Sequence, residues 1–242
     1  MIQVDSLLYK IDQRLNKLST NEHQQIQLED KILALNEAQI KLIKQKIDGS
    51  TANGMGMDAF KKRYEDLQSL VMPYNNQPLE LTILNTELNQ WKANLHTLEP
   101  KYMFYVDSYV LADKGRCKDR KIWINRDLAK HGDLQFILNN EHYKPSFEYQ
   151  ETFNFLASDE ISIFTDGTFT PKKIYISYMK YPDYIDKEGY IKFDGTSSID
   201  VNCELEHYLE DELLDLTVQN LAMYTENQSA AQTAQYRIQT NE

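Results

Sequence analysis

Between Ile26 and Ile47 the apolar residues fall on two lines, and these constrain the fold more than any other stretch. Ile26, Leu33, Ile40 and Ile47 recur every seven positions; Leu28, Leu35 and Leu42 do so on a second line, with Ile32 and Ile43 between. At 100° per residue they cover an arc of roughly 200°, wider than the stripe of a helix that buries one face. Such a helix needs neighbours on two sides, either from its own domain or from another protomer. Ser19, three residues before Glu22, has the form of a capping box, so the helix is expected from about Thr20 to Ile47, with a stop at Asp48-Gly49.

Leu7, Leu8, Ile11, Leu15 and Leu18 predict an earlier helix over 5–18, and Asp58 can cap a third, AFKKRYEDLQSLV, ending before Pro73. From Pro78 the period changes to two. LELTIL, YMFYVDSYVLA (102–112), RKIWINRDL (120–128), EISIF (160–164) and KKIYISYMKY (172–181) read as strands, and Asp166-Gly167 as a hairpin turn. The stretch 86–98 reads equally as helix or strand, and 133–140 as a short helix or turn. Tyr190 opens a further strand-like run with an Asp-Gly turn, and 205–226 reads as a last helix. The expected class is α+β. An N-terminal helical bundle or hairpin (1–74) precedes a mostly β region (75–200), an antiparallel sheet or small barrel of five to seven strands. A C-terminal acidic helix (201–227) packs back on the helices, and a flexible tail (228–242) follows.

The chain is long enough for a real core. Its hydrophobic content of 41% lies below the roughly 45–50% apolar share of average domains and its mean hydropathy is −0.60, which suits a chain that is partly extended or completed only in an assembly. Sixteen tyrosines suit surfaces that are wet in one state and covered in another. Cys117 and Cys203 are too few for a disulfide framework and are expected as reduced thiols. No secretory signal and no membrane span are expected, since no apolar run approaches the required length.

The net charge of −11 is uneven. Residues 183–242 hold thirteen acids against three bases, whereas 114–130 holds seven bases against two acids. Glu204, Glu206, Glu210, Asp211 and Glu212 crowd the start of the last helix, where the macrodipole favours negative charge. Lys114, Arg116, Lys118, Arg120, Lys121 and Arg126 form the opposite patch. These two groups are the candidate interface residues. The basic stretch has three readings: a loop that touches phosphates, with Trp123 available for stacking; a patch that meets an acidic surface of another subunit; or a solvated strand edge whose lysines block pairing.

Catalytic chemistry has no motif behind it. The chain has no phosphate-binding glycine loop, no dinucleotide fingerprint, no zinc-protease helix and no paired CxxC. Glu204 and His207 make one Glu-x-x-His, where a di-iron bundle needs two and further carboxylates. The acids at 204–212 lack the spacing of a calcium loop. No catalytic residue, metal or cofactor is expected, and the chain is not expected to be an enzyme.

Three passages carry a family resemblance: NKLSTNEHQQIQLEDKILALNEAQIKLIKQKID (16–48) with AFKKRYEDLQSLV following; KKIYISYMKYPDYIDKEGYIKFDGTSSIDVNCELEHYLEDELLDLTVQNLAMYTEN (172–227), the most specific; and, more loosely, CKDRKIWINRDLAKHGDLQFILNNEHYKPSFEYQ (117–150). Together, over most of the chain, they resemble the head–tail connector (ring or neck) proteins of crAss-like and related short-tailed bacteriophages. The resemblance implies a structural virion protein, made in the host bacterial cytoplasm, that forms a ring of usually twelve copies beneath the portal and extends the DNA channel. Its implied partners are further copies of itself, the portal protein, other neck and tail proteins, and phage DNA that passes without sequence-specific binding. A ring repeats one contact between two different faces, and the basic and acidic stretches offer such faces. The residues also admit an alternative, a DNA-binding or packaging-associated factor using 114–130.

Overall fold

A computed structural model of the chain describes residues 1–18, 26–48, 65–74, 78–124, 132, 134–192 and 195–224. The fold is α+β, in two compact units: residues up to Leu70 together with those from Pro182 onward, and Val71–Tyr181. Residues 182–200, which the sequence groups with the strands, therefore belong with the helices.

The helical unit is built on α1 (Val4–Leu18), α2 (Leu28–Asp48) and α4 (Glu210–Tyr224). Val4, Leu7, Ile11 and Leu15 line the buried face of α1. The backbone of Ile2 pairs with that of Cys203 at 2.9 and 3.0 Å, and the Asn202 side chain accepts from the Val4 amide at 3.1 Å. Both sequence-distant ends of the unit are thereby tied together. α4 packs against both α1 and α2 and is buried almost all round, with Leu213, Leu214, Leu216, Val218, Leu221 and Ala222 inside. This is the position a helix with apolar residues on every side must take.

α2 begins at Leu28, later than expected; Ile26 and Gln27 precede it. The proposed capping residues Ser19 and Glu22, most of the third helix and the tail after Tyr224 lie outside the described residues. The two apolar lines of α2 have different fates. Ile32, Leu35, Leu42 and Ile43 are buried, whereas Leu33 is 47% exposed and Ile40 and Ile47 are half-buried. Within the segment 182–206, Asn36 holds both backbone groups of Ile185, donating to its carbonyl and accepting from its amide at 2.9 Å. Asp186 is buried and accepts from the Lys187 amide, the Tyr190 hydroxyl and the Lys192 ammonium at 2.7–2.9 Å. The strand expected from Tyr190 is reduced to isolated bridges, Ile191 to Ser197 and Asp186 to Val201. Its hydrogen bonds are made within the segment, Ser198 to Tyr190 and Lys192 to Thr196, and to the Asp186 carboxylate, which accepts from the Ile199 amide, rather than in a sheet.

Among its described residues the other unit holds ten strands in two sheets, not one sheet or barrel of five to seven. They are β1 (Val71–Met72), β2 (Leu79–Glu80), β3 (Thr82–Asn85), β4 (Gln90–Asn94), β5 (Tyr102–Lys114), β6 (Cys117–Ile124), β7 (Glu151–Thr152), β8 (Asn154–Ala157), β9 (Glu160–Phe164) and β10 (Thr170–Lys180). The larger sheet runs β1-β10-β5-β6-β7, with β2 also on β10; the smaller runs β3-β4-β9-β8. All pairs are antiparallel except β6 with β7. The ambiguous stretch 86–98 resolves into β4 and a short helical turn, where the Asn94 side chain accepts from the His96 amide at 2.8 Å. Val110, Ile124, Ile174, Ile176 and Tyr178 of the larger sheet pack with Ala93, Ile161 and Ile163 of the smaller one. A short helix, α3 (Leu134–Asn139), places Ile137 against Phe153, Phe155 and Phe164.

Candidate interaction surfaces

The acidic residues at the start of the last helix pair with bases of the N-terminal helices. Glu210 meets Lys10 at 2.7 Å, Asp211 meets Arg14 at 2.5 Å, and Glu212 meets Lys46 at 2.7 Å. Arg14 also bonds Asp215, which is 2% exposed, and Lys46 reaches the buried Asp66 at 3.3 Å. Burial pulls the Lys46 ammonium down, but Glu212 and Asp66 outweigh it and its pKa is raised. Glu204 accepts from the Asp183 amide at 2.9 Å. Glu206 precedes the turn His207–Leu209 that leads into α4, without capping it through its side chain. Much of the charge at 204–215 thus serves to fasten α4 between α1 and α2. The partners were present in the sequence as Lys10 and Arg14, one turn apart on α1, but nothing in their spacing pairs them with residues two hundred positions away.

The described part of the basic stretch, 114–124, lies in the β5–β6 hairpin, whose turn uses Gly115 at φ +55°, a conformation that favours glycine. It too is partly neutralised. Lys114 lies 3.2 Å from Glu148 and, like Arg120, packs over the Phe147 ring. Asp113 takes Lys172 at 2.6 Å, Lys118 at 3.2 Å and the Asp119 amide at 2.8 Å. The Lys172 bond first, and then the Asp119 amide, hold the Asp113 carboxyl down at about 2; the same contact raises Lys172. Arg116 is exposed at the turn. Lys121 stands 4.8 Å over the Tyr109 ring. Arg126 lies outside the described residues.

Trp123 is 48% exposed and belongs to an aromatic group that sequence reasoning missed. Tyr109 stacks on Tyr175, centroids 4.9 Å apart and planes 6° apart, and meets Trp123 at 5.5 Å and Tyr74 at 5.3 Å. The Tyr74 hydroxyl donates to Asp107. Burial, then Tyr175, raises the Tyr109 pKa. The alternating texture of β5, β6 and β10 was a signal for these rings, but their meeting depends on register.

Among the described residues no group of three or more His, Cys, Asp or Glu is placed to hold a metal ion, and His207 meets only Glu210 of the acids, at 3.8 Å. No described helix is long and apolar enough to cross a membrane. No protein-family model matches the chain, and no curated protein matches it.

Proposed function

We propose that this protein is a structural component of a virion, forming a ring beneath the portal that joins capsid to tail and extends the DNA channel. The reading rests on the resemblance of residues 16–48, 117–150 and 172–227 to connector proteins. The observation on the helical unit that carries it is the apolar surface left in water. Ile191 is 71% exposed, Ile199 61% and Met223 60%, and Leu33 and Tyr224 are exposed as well. Side chains of this size at the surface suit contact with another protein. The acids of α4 are spent on Lys10, Arg14 and Lys46, so the assembly contacts draw on these apolar groups more than on paired acidic and basic faces. Arg116, exposed at its hairpin turn, is the basic candidate best placed to reach a neighbour.

The test is the native mass of the purified full chain, alone and mixed with the portal protein of the same phage. A high-order complex with the mass of a ring on the portal is expected. A chain that leaves the portal unchanged in mass overturns the reading.

A further inference from the structure

Helix α2 is covered on most sides by α4 and by the segment 182–206. Ile32, Leu35, Gln39, Leu42 and Ile43 face that cover and are each at most 3% exposed. One stripe is left. Leu33 (47% exposed) and the half-buried Ile40 and Ile47 form its apolar line, seven residues apart. At 100° per residue, Glu29, Asp30, Glu37, Lys41 and Lys44 lie alongside it, within about 120° in all, and all five are exposed. A helix side that met only water would be polar across its width. An apolar line at intervals of seven, edged by charges, has the spacing of a helix–helix seam.

The charges are sorted along the stripe. Acids occupy its N-terminal part, Glu29, Asp30 and Glu37; bases follow, Lys41 and Lys44, before the helix ends at Asp48. The other lysines of α2 are already engaged, Lys31 by Asp12 and Lys46 by Glu212 and Asp66. Among the described residues Lys41 and Lys44 form no such pair. Glu37 accepts from the Tyr224 hydroxyl of α4 at 2.5 Å, which leaves three of its four lone-pair sites for another donor. A partner helix for this stripe needs the opposite gradient and an apolar line of the same spacing. The same helix, reversed, has both.

We propose that α2 packs antiparallel against α2 of a second copy of this chain, about a two-fold axis near Ile40. Ile40 then meets its own copy, Leu33 meets Ile47 of the second copy, and Glu37 falls between Lys41 and Lys44 of the second copy, twice over by symmetry. A parallel pair would set acids against acids and bases against bases. An axis midway between Leu33 and Ile40 would set Glu37 against its own copy. The pair is separate from the ring contact, because a two-fold interface closes on itself while a ring repeats a contact between two different faces.

The experiment is sedimentation velocity on the full chain over about two decades of micromolar concentration. A monomer–dimer equilibrium is expected. Lys41→Glu with Lys44→Glu makes the stripe wholly acidic, and Glu37→Lys makes its centre wholly basic. Each variant alone should dimerise at least about tenfold more weakly, since like charges across a contact oppose it. An equimolar mixture of the two should recover the dimer, because each then supplies what the other lacks. Circular dichroism confirms that both variants, altered only at exposed positions, are folded. A chain that stays monomeric, a dimer indifferent to both variants, or a mixture that stays monomeric overturns the proposal; the first result leaves the stripe to a different protein. A dimer that forms while the portal protein is left unchanged in mass refutes the ring alone, and a ring built on the portal from a chain that is monomeric by itself refutes the pair alone.

Discussion

Arg14→Ala should loosen α4 in the helical unit without touching the sheets. Arg14 is one turn from Lys10 on α1 and bonds two carboxylates one turn apart on α4, Asp211 and Asp215. Their side chains differ in exposure: 74% for Asp211 and 3% for Asp215. The exposed pair is worth about 0–1 kcal/mol. The buried one matters more, because removal of the guanidinium leaves a charge inside the fold, at a cost of about 3–5 kcal/mol. Arg14 retains 19% exposure, so water softens the loss, and about 3 kcal/mol is expected. Both tryptophans, Trp91 and Trp123, lie in the sheet unit, which makes the assay selective. In urea, helical ellipticity should melt earlier in the variant while the tryptophan emission transition stays in place. Arg14→Ala with Asp215→Asn should recover part of the loss, since the buried carboxylate that lost the guanidinium is then replaced by a neutral amide. A destabilisation under about 1 kcal/mol, or equal shifts of both signals, would refute the idea that Arg14 is the electrostatic fastener of α4.

Asp186→Asn should open the 183–201 segment at a cost of about 2 kcal/mol, because a buried acceptor of charged and backbone donors is weakened; faster tryptic cleavage at Lys187 and Lys192 reports it, and an unchanged digest counts against it. Burial pushes the Asp186 carboxyl up, but bonds from Lys192, Tyr190 and two amides outweigh it and its pKa is lowered. Its contribution is therefore present above the ordinary 3.8 and lost as pH falls through the lowered value, so acid should sensitise the native segment and leave the Asn variant unchanged. For the thiols, burial first pushes Cys203 up to about 11, whereas Cys117 is exposed. Ellman's reagent should titrate one thiol in the native chain and two in guanidinium, and reaction of a Cys117→Ser chain under native conditions would show that Cys203 is not protected as described.

What the sequence determined by itself was local. The 3.6-residue spacing of Leu7, Ile11 and Leu15 fixes α1, and the alternation in 102–112 and 172–181 fixes the two long strands, because each signal is carried by neighbours along the chain. It also locates the charge extremes and the absence of familiar catalytic spacings. The tertiary structure decided which charges remain available. Glu210, Asp211 and Glu212 look like an open acidic face until Lys10, Arg14 and Lys46 arrive from positions far away in sequence. It decided which of the two apolar lines on α2 is buried, since that depends on where α4 lies. It turned a strand at 190–199 into a segment held by the carboxylate of Asp186, and it aligned Tyr175, Tyr109 and Trp123 into one row. Spacing within one segment cannot specify partners in another, and the register between strands or the pairing of distant ions is settled only when the core closes.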